Sequence, residues 1–160
     1  VDCCQRLCPK GRTEMKWQKP SWTLLIVLSG VLLSCASTRV SIGSIPVYPE
    51  AEGITGEQNN LAGQVYHAIE ASAEEQGQTS KVRLYALPED SSWQSVTAFY
   101  TAELADTDWQ PAPHLNSDSD VFMGLGWTRP SGNREQSFLI VYVPALVTGG
   151  DFLVIGLLSD

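Results

Sequence analysis

Residues 121–160 read VFMGLGWTRPSGNREQSFLIVYVPALVTGGDFLVIGLLSD, and three apolar runs stand out in them: Val121 to Thr128, Ser137 to Val143 and Phe152 to Leu158. Between the runs lie Pro130-Ser131-Gly132-Asn133 and Thr148-Gly149-Gly150-Asp151, residues that start turns or accept positive φ. Connections this short join antiparallel neighbours, so the stretch predicts a three-stranded meander. The last two runs are apolar at odd and even positions alike. Helices on one side of the sheet therefore cannot be the whole story: the runs suggest central strands, or a sheet whose second face meets a partner or the tether before the domain.

Moving toward the N-terminus, Lys81 to Leu87 alternates, with Val82, Leu84 and Ala86 on one face and Arg83 and Tyr85 on the other, which is strand behaviour. Ser91-x-x-Gln94 has capping-box form, and Val96, Phe99, Tyr100 and Leu104 follow as one apolar stripe on a helix reaching about Ala105, with Trp109 closing its far end. Thr55-x-x-Gln58 repeats the capping pattern ahead of Leu61, Val65 and Ile69, predicting a helix from Glu57 to Gln76 that Gly77 stops. The element order is α-β-α-β-β-β. The expected fold of residues 55–160 is α+β, a two-layer sandwich with the helices packed on an antiparallel or mixed four-stranded sheet that ends in the meander.

Earlier still, Met15 opens a short basic stretch (Lys16, Lys19), an apolar run from Trp22 to Leu33, and small residues around a cysteine. These are the three parts of a secretory signal. Leu32-Leu33-Ser34-Cys35 resembles the lipobox of bacterial lipoproteins. That resemblance implies that residues 15–34 are a signal peptide, that Cys35 is lipidated, and that the body is held at the extracytoplasmic face of a bacterial membrane, since two or three acyl chains anchor firmly where one is marginal. The alternative is an uncut membrane span from Pro20 to Thr38. Residues 1–14 show no helical or strand period and are expected to be an untranslated or disordered leader; Cys3, Cys4 and Cys8 within them match no common zinc spacing. Residues 35–54, small and rich in Pro and Gly, are expected to be a flexible tether, although Ile45 to Pro49 is apolar enough to dock on the body.

The run from Ser92 to Leu104, then Trp109, a Gly126-Trp127-Thr128-Arg129 strand and a Val141-Tyr142-Val143-Pro144 strand, is similar to small uncharacterised lipoproteins of Chloroflexus-type bacteria. The likeness covers about residues 45–160. It implies an anchored extracytoplasmic domain and brings no catalytic residue with it.

With 160 residues, 43% of them hydrophobic, there is room for one domain. The charge is divided: residues 1–34 carry five Lys/Arg and two acids, residues 36–160 five and sixteen, so the body is at −11 within a total of −8. An acidic body without clustered Lys/Arg repels phosphate backbones, and nucleic acid is not an expected partner. No cofactor motif is present: Gly124-Leu125-Gly126 lacks the third glycine and following helix of a dinucleotide site and reads as close packing. The two histidines, His67 and His114, lie in no hydrolase motif. Asp106, Asp108, Asn116, Asp118 and Asp120 supply oxygens that suit calcium at the weak affinities of extracellular modules, about 10⁻⁴ to 10⁻³ M, although Val121 stands where an EF-hand needs glycine. Trp109 and Trp127 are candidates for a partner contact, because aromatics concentrate at interfaces. The expected function is that of a non-enzymatic, lipid-anchored binding or accessory protein of a membrane or envelope complex, acting through a protein partner; the alternative is a lipoprotein that binds a small ligand or calcium.

Overall fold

The structure is a computed structural model, and the residues it describes are 38–55, 61–145 and 149–160. The expected leader and signal peptide, Cys35 and the alternative span up to residue 37 lie outside the described residues, as does Gln58 of the first expected capping box. Among the described residues no helix is long and apolar enough to cross a membrane.

In chain order the elements are β1 (Glu52–Ile54), α1 (Leu61–Glu75), β2 (Thr79–Ala86), α2 (Trp93–Leu104), β3 (Gln110–Pro111), β4 (Ser117–Asp118), β5 (Met123–Ser131), β6 (Arg134–Val143) and β7 (Phe152–Ser159), with 3-10 turns at Ile42–Ser44 and Pro113–Leu115. The strands form one antiparallel sheet in the order β1-β2-β7-β6-β5-β3, with β4 also on β5. The meander is therefore present, and its three strands with β2 make the expected four. The sheet has seven because β1, β3 and β4 add short edges that two- and three-residue stretches of polar sequence do not announce. The β5–β6 turn uses two residues, Gly132 and Asn133, with Ser131 opposite Arg134 and Gly132 at φ +66°. Positive φ at the first central position alone is the pattern of a type II′ hairpin, which is why glycine stands there.

The helices correct the two-layer expectation. Phe138, Ile140 and Tyr142 of β6 and Leu153, Ile155 and Leu157 of β7 are buried with Val96, Tyr100 and Leu104 of α2. The intervening Val141, Val143 and Val154 are buried with Ala62 of α1. Because side chains alternate along a strand, α1 and α2 lie on opposite faces. This accounts for central strands that are apolar on both sides.

Local chemistry fixes the helix ends. Ser92, not Ser91, is the N-cap of α2: its Oγ accepts from the Ser95 amide (3.1 Å) while Ser95 Oγ accepts from the Ser92 amide (3.0 Å). The register is one residue later than the Ser91/Gln94 expectation, because a serine at the third helical position reaches back as a glutamine would. Helix α1 ends in a Schellman motif, with Gln78 N–H donated to Ala73 O (2.8 Å), Gly77 N–H to Glu74 O (3.0 Å) and Gly77 at φ +70°.

From Thr38 onward the stretch expected as tether is docked. Gln136, 2% exposed, pairs through its amide with both backbone groups of Val40 (2.9 and 3.0 Å) as a neighbouring strand would. Ile45 is buried, Tyr100 Oη donates to Pro46 O (3.2 Å), Tyr48 Oη donates to Ser95 Oγ (3.0 Å), and β1 joins the sheet edge. Helix α2 is too short to cover its face alone, and Val40, Ile42, Ile45 and Tyr48 complete the cover. The docking that the apolar Ile45–Pro49 piece allowed is thus observed, whereas Val40 and Ile42, in a stretch without a period, carried no signal of burial.

Candidate functional site

The α1 face is covered only in part, and a cleft of about 580 Å³ remains between the helix and the meander. Its first wall is α1, with Gln64, Val65, Ala68, Ile69 and Ser72. Its floor is Ser137, Leu139 and Val141 of β6 with Leu158 of β7, and the opposite wall is His114, Leu115 and Phe122. Two glycine contacts set these walls. A Cβ on Gly156 would stand 3.1 Å from Leu139 Cγ and 3.3 Å from Ile69 Cγ2, so glycine lets α1 settle low over β7. On β5, a Cβ on Gly126 would run into the Leu115 side chain and one on Gly124 into Ser117 Oγ. Gly126 is thus a seat for the Pro113–Leu115 turn, and Gly124 makes room for Ser117 of β4. That turn is tied down by Gly126 N–H donated to Asn116 Oδ1 (3.3 Å) and Ala112 N–H donated to Gly126 O (2.8 Å).

The lining is chemically uniform. Aliphatic and aromatic side chains make the floor and inner walls, the rim carries amides and hydroxyls, and His114 is the one ionisable side chain among the lining residues. The Schellman turn places Gln76 and Gln78 at one end of the cleft. Both are anchored: Gln76 Nε2 donates to Ser72 O and Oγ (3.1 Å each), and Gln78 Nε2 donates to Asp160 Oδ1 (2.8 Å). A cavity of this size, apolar with a few fixed polar groups, falls in the range of small-molecule sites, about 300–1,000 Å³.

The residues singled out from sequence fall elsewhere. Trp109 and Trp127 are 6% and 3% exposed and belong to the α2-side core, packed about Phe138 at ring separations of 5.8 and 5.4 Å. Their expected role as an accessible partner surface is corrected, because the α2 face needs large rings to fill the space over the sheet. The Arg129 guanidinium lies over Trp109 at 5.6 Å and 3.7 Å from the exposed Asp108 carboxylate, a geometry that holds the indole rather than a metal. Asn116 Oδ1 is taken by the Gly126 amide, Asp118 sits in β4 opposite Met123, and Asp106 and Asp120 are exposed. Among the described residues no three His, Cys, Asp or Glu side chains gather where one ion would sit, so the calcium candidates are not brought together. His67 is exposed beside Glu70 (3.4 Å) and takes no part in the cleft. His114, in the Pro113–Leu115 turn, stands on the cleft wall.

Three tyrosines have raised pKa values. Burial, and then the Tyr85 hydroxyl nearby, push Tyr100 far above the ordinary range. Burial, and then the hydrogen bond to the Asp151 carboxylate, do the same for Tyr142. Tyr66 on α1 is raised by burial and then by the charge of Glu70.

The cleft is not legible in the sequence because its apolar residues read as ordinary core and its polar ones as ordinary surface. One signal was available: α1 carries the small Ala68 within its apolar stripe, a position that leaves space over a sheet face apolar enough to need cover. Compared with protein-family models, curated proteins and solved structures, this chain finds no match.

Proposed function

We propose that the body is a non-enzymatic binding module for a small, uncharged apolar ligand, held at the extracytoplasmic face of a membrane by lipid on Cys35. The observation that carries the reading is the cleft between α1 and the meander: apolar inside, rimmed by amides and hydroxyls, and without Asp, Glu, Lys or Arg in its lining although the body around it is at −11. Burying the ligand's surface there drives binding, since apolar area removed from water contributes roughly 25 cal/mol per Å². A charged ligand would lose its hydration and find no counter-charge. The small-ligand reading is preferred to the protein-partner reading because the large hydrophobic side chains exposed among the described residues are Val47 and Val121, which make no aromatic patch.

The test is titration of the membrane-extracted protein with a neutral fluorescent probe, N-phenyl-1-naphthylamine. Saturable binding is expected, and Ala68→Trp, which fills the cleft from an exposed helix position, should weaken it at least tenfold while Ala98→Trp on the outer side of α2 leaves it unchanged. Equal binding by all three proteins would sink the proposal.

A further inference from the structure

The cleft and the point at which the N-terminal segment leaves the body lie at the same end of the sheet. Ser159 pairs with both Thr79 and Gln136, and Leu158 with Ser137, so the start of β2, the start of β6 and the end of β7 form one edge of the molecule. Gln78, Ser137 and Leu158 line the cleft at that edge. The departing segment is tied to it as well. Arg39 Nη2 donates to Asp160 O (2.8 Å), Val40 pairs with Gln136, and Arg129 Nη2 donates to Thr38 O (3.3 Å). Asp160 joins the two features directly, accepting from Arg39 through its backbone oxygen and from Gln78 on the cleft rim through its side chain.

We infer that the cleft takes the acyl chain of a membrane lipid, which enters at this edge. The inference rests on the binding reading above and on an anchor at Cys35. Cys35 stands three positions before Thr38, and three steps at about 3.3 Å per residue span no more than about 10 Å. An anchor of that length holds the cleft's end against the bilayer surface. The chemistry agrees: Val65, Ile69, Leu139, Val141, Leu158 and Phe122 offer a largely aliphatic lining, in which an acyl chain leaving the bilayer keeps its methylenes out of water. The amide and hydroxyl rim suits a neutral or zwitterionic headgroup, whereas the −11 body repels an anionic one. A bilayer lipid is the source rather than the chain on Cys35, since an anchoring chain that moved into the cleft would subtract its own methylenes from the anchor.

The protein extracted from membranes is reconstituted into phosphatidylcholine vesicles doped with a phosphatidylcholine whose acyl chain carries a diazirine, irradiated, digested and sequenced by mass spectrometry. Adducts are expected in residues 61–76 and 134–143. Ala68→Trp, or Ser137→Trp if the first variant does not fold, should reduce them at least tenfold without removing the lipid mass on Cys35. Adducts absent from both segments while the naphthylamine probe still binds would overturn the acyl-chain inference and leave the binding module standing. Loss of probe binding as well would remove both. Probe binding and adducts gained only in Cys35→Ala would show that the protein's own chain occupies the cleft, and would overturn the bilayer source. A Cys35 without lipid mass would overturn the route of entry.

Discussion

On one face of the sheet Phe138 is fully buried beneath Tyr100, Trp109 and Trp127, with ring separations of 5.4 to 5.8 Å, and the space left by α2 is closed by residues 40–51. On the other, the next residue along the same strand, Leu139, is half-buried under α1 and forms the floor of an open cleft. The strands are shared, so the difference lies in what each face is given as cover. Aromatic rings and a docked segment complete one side, whereas on the other α1 and the Pro113–Leu115 turn leave a cleft between them. A chain whose covering elements meet on one face and stay apart on the other has put its stability on the first and an unfilled apolar surface on the second.

The sharpest way to break this comparison is to truncate adjacent residues of β6. Phe138→Ala should cost about 3–5 kcal/mol, a large part of the roughly 5–15 kcal/mol that holds a domain folded. Leu139→Ala should cost well under half as much and act mainly on ligand binding. Urea midpoints of the two variants check this, and equal losses would mean that the faces do not differ as described. A smaller effect is expected at the cleft wall. Gly126→Ala places a methyl group against Leu115, so the Pro113–Leu115 turn must move. A loss of about 1–3 kcal/mol, together with altered probe affinity, would mark that turn as a wall of the site.

The mildest test uses pH. Tyr100 and Tyr142 both belong to the aromatic face, and both have folded-state pKa values raised above the ordinary tyrosine value. A raised value means that the fold holds the neutral phenol. The stabilisation is complete below the unfolded value of about 10 and is lost as pH rises above it, at up to about 1.4 kcal/mol per pH unit for each tyrosine. Thermal melts between pH 8 and 11 should show this decline, and Tyr142→Phe should make it shallower. An unchanged slope would remove Tyr142 from the account.

Much of this architecture was legible in single residues and their spacing. The turn at Gly132-Asn133, the stop at Gly77, the stripe of Val96, Tyr100 and Leu104, and the two-sided apolarity of β6 and β7 are local properties, and they state which side chains need burial. They do not state what buries them. Ile45 to Pro49 read as apolar enough to dock on the body, but nothing in residues 38–54 showed that Gln136 would hold Val40 or that the place of docking lay beside α2, because irregular backbone leaves no period to read. Trp109 and Trp127 could be named as aromatics of consequence, yet whether they faced a partner or Phe138 depended on which side α2 took. The cleft is furthest from the sequence. It exists because α1 and the Pro113–Leu115 turn, far apart in the chain, settle over Gly156 and Gly126 on one sheet face without meeting. Pattern along a chain therefore determined the elements and their apolar sides, while the tertiary structure alone decided their partners, since burial is satisfied by whatever surface packing brings near.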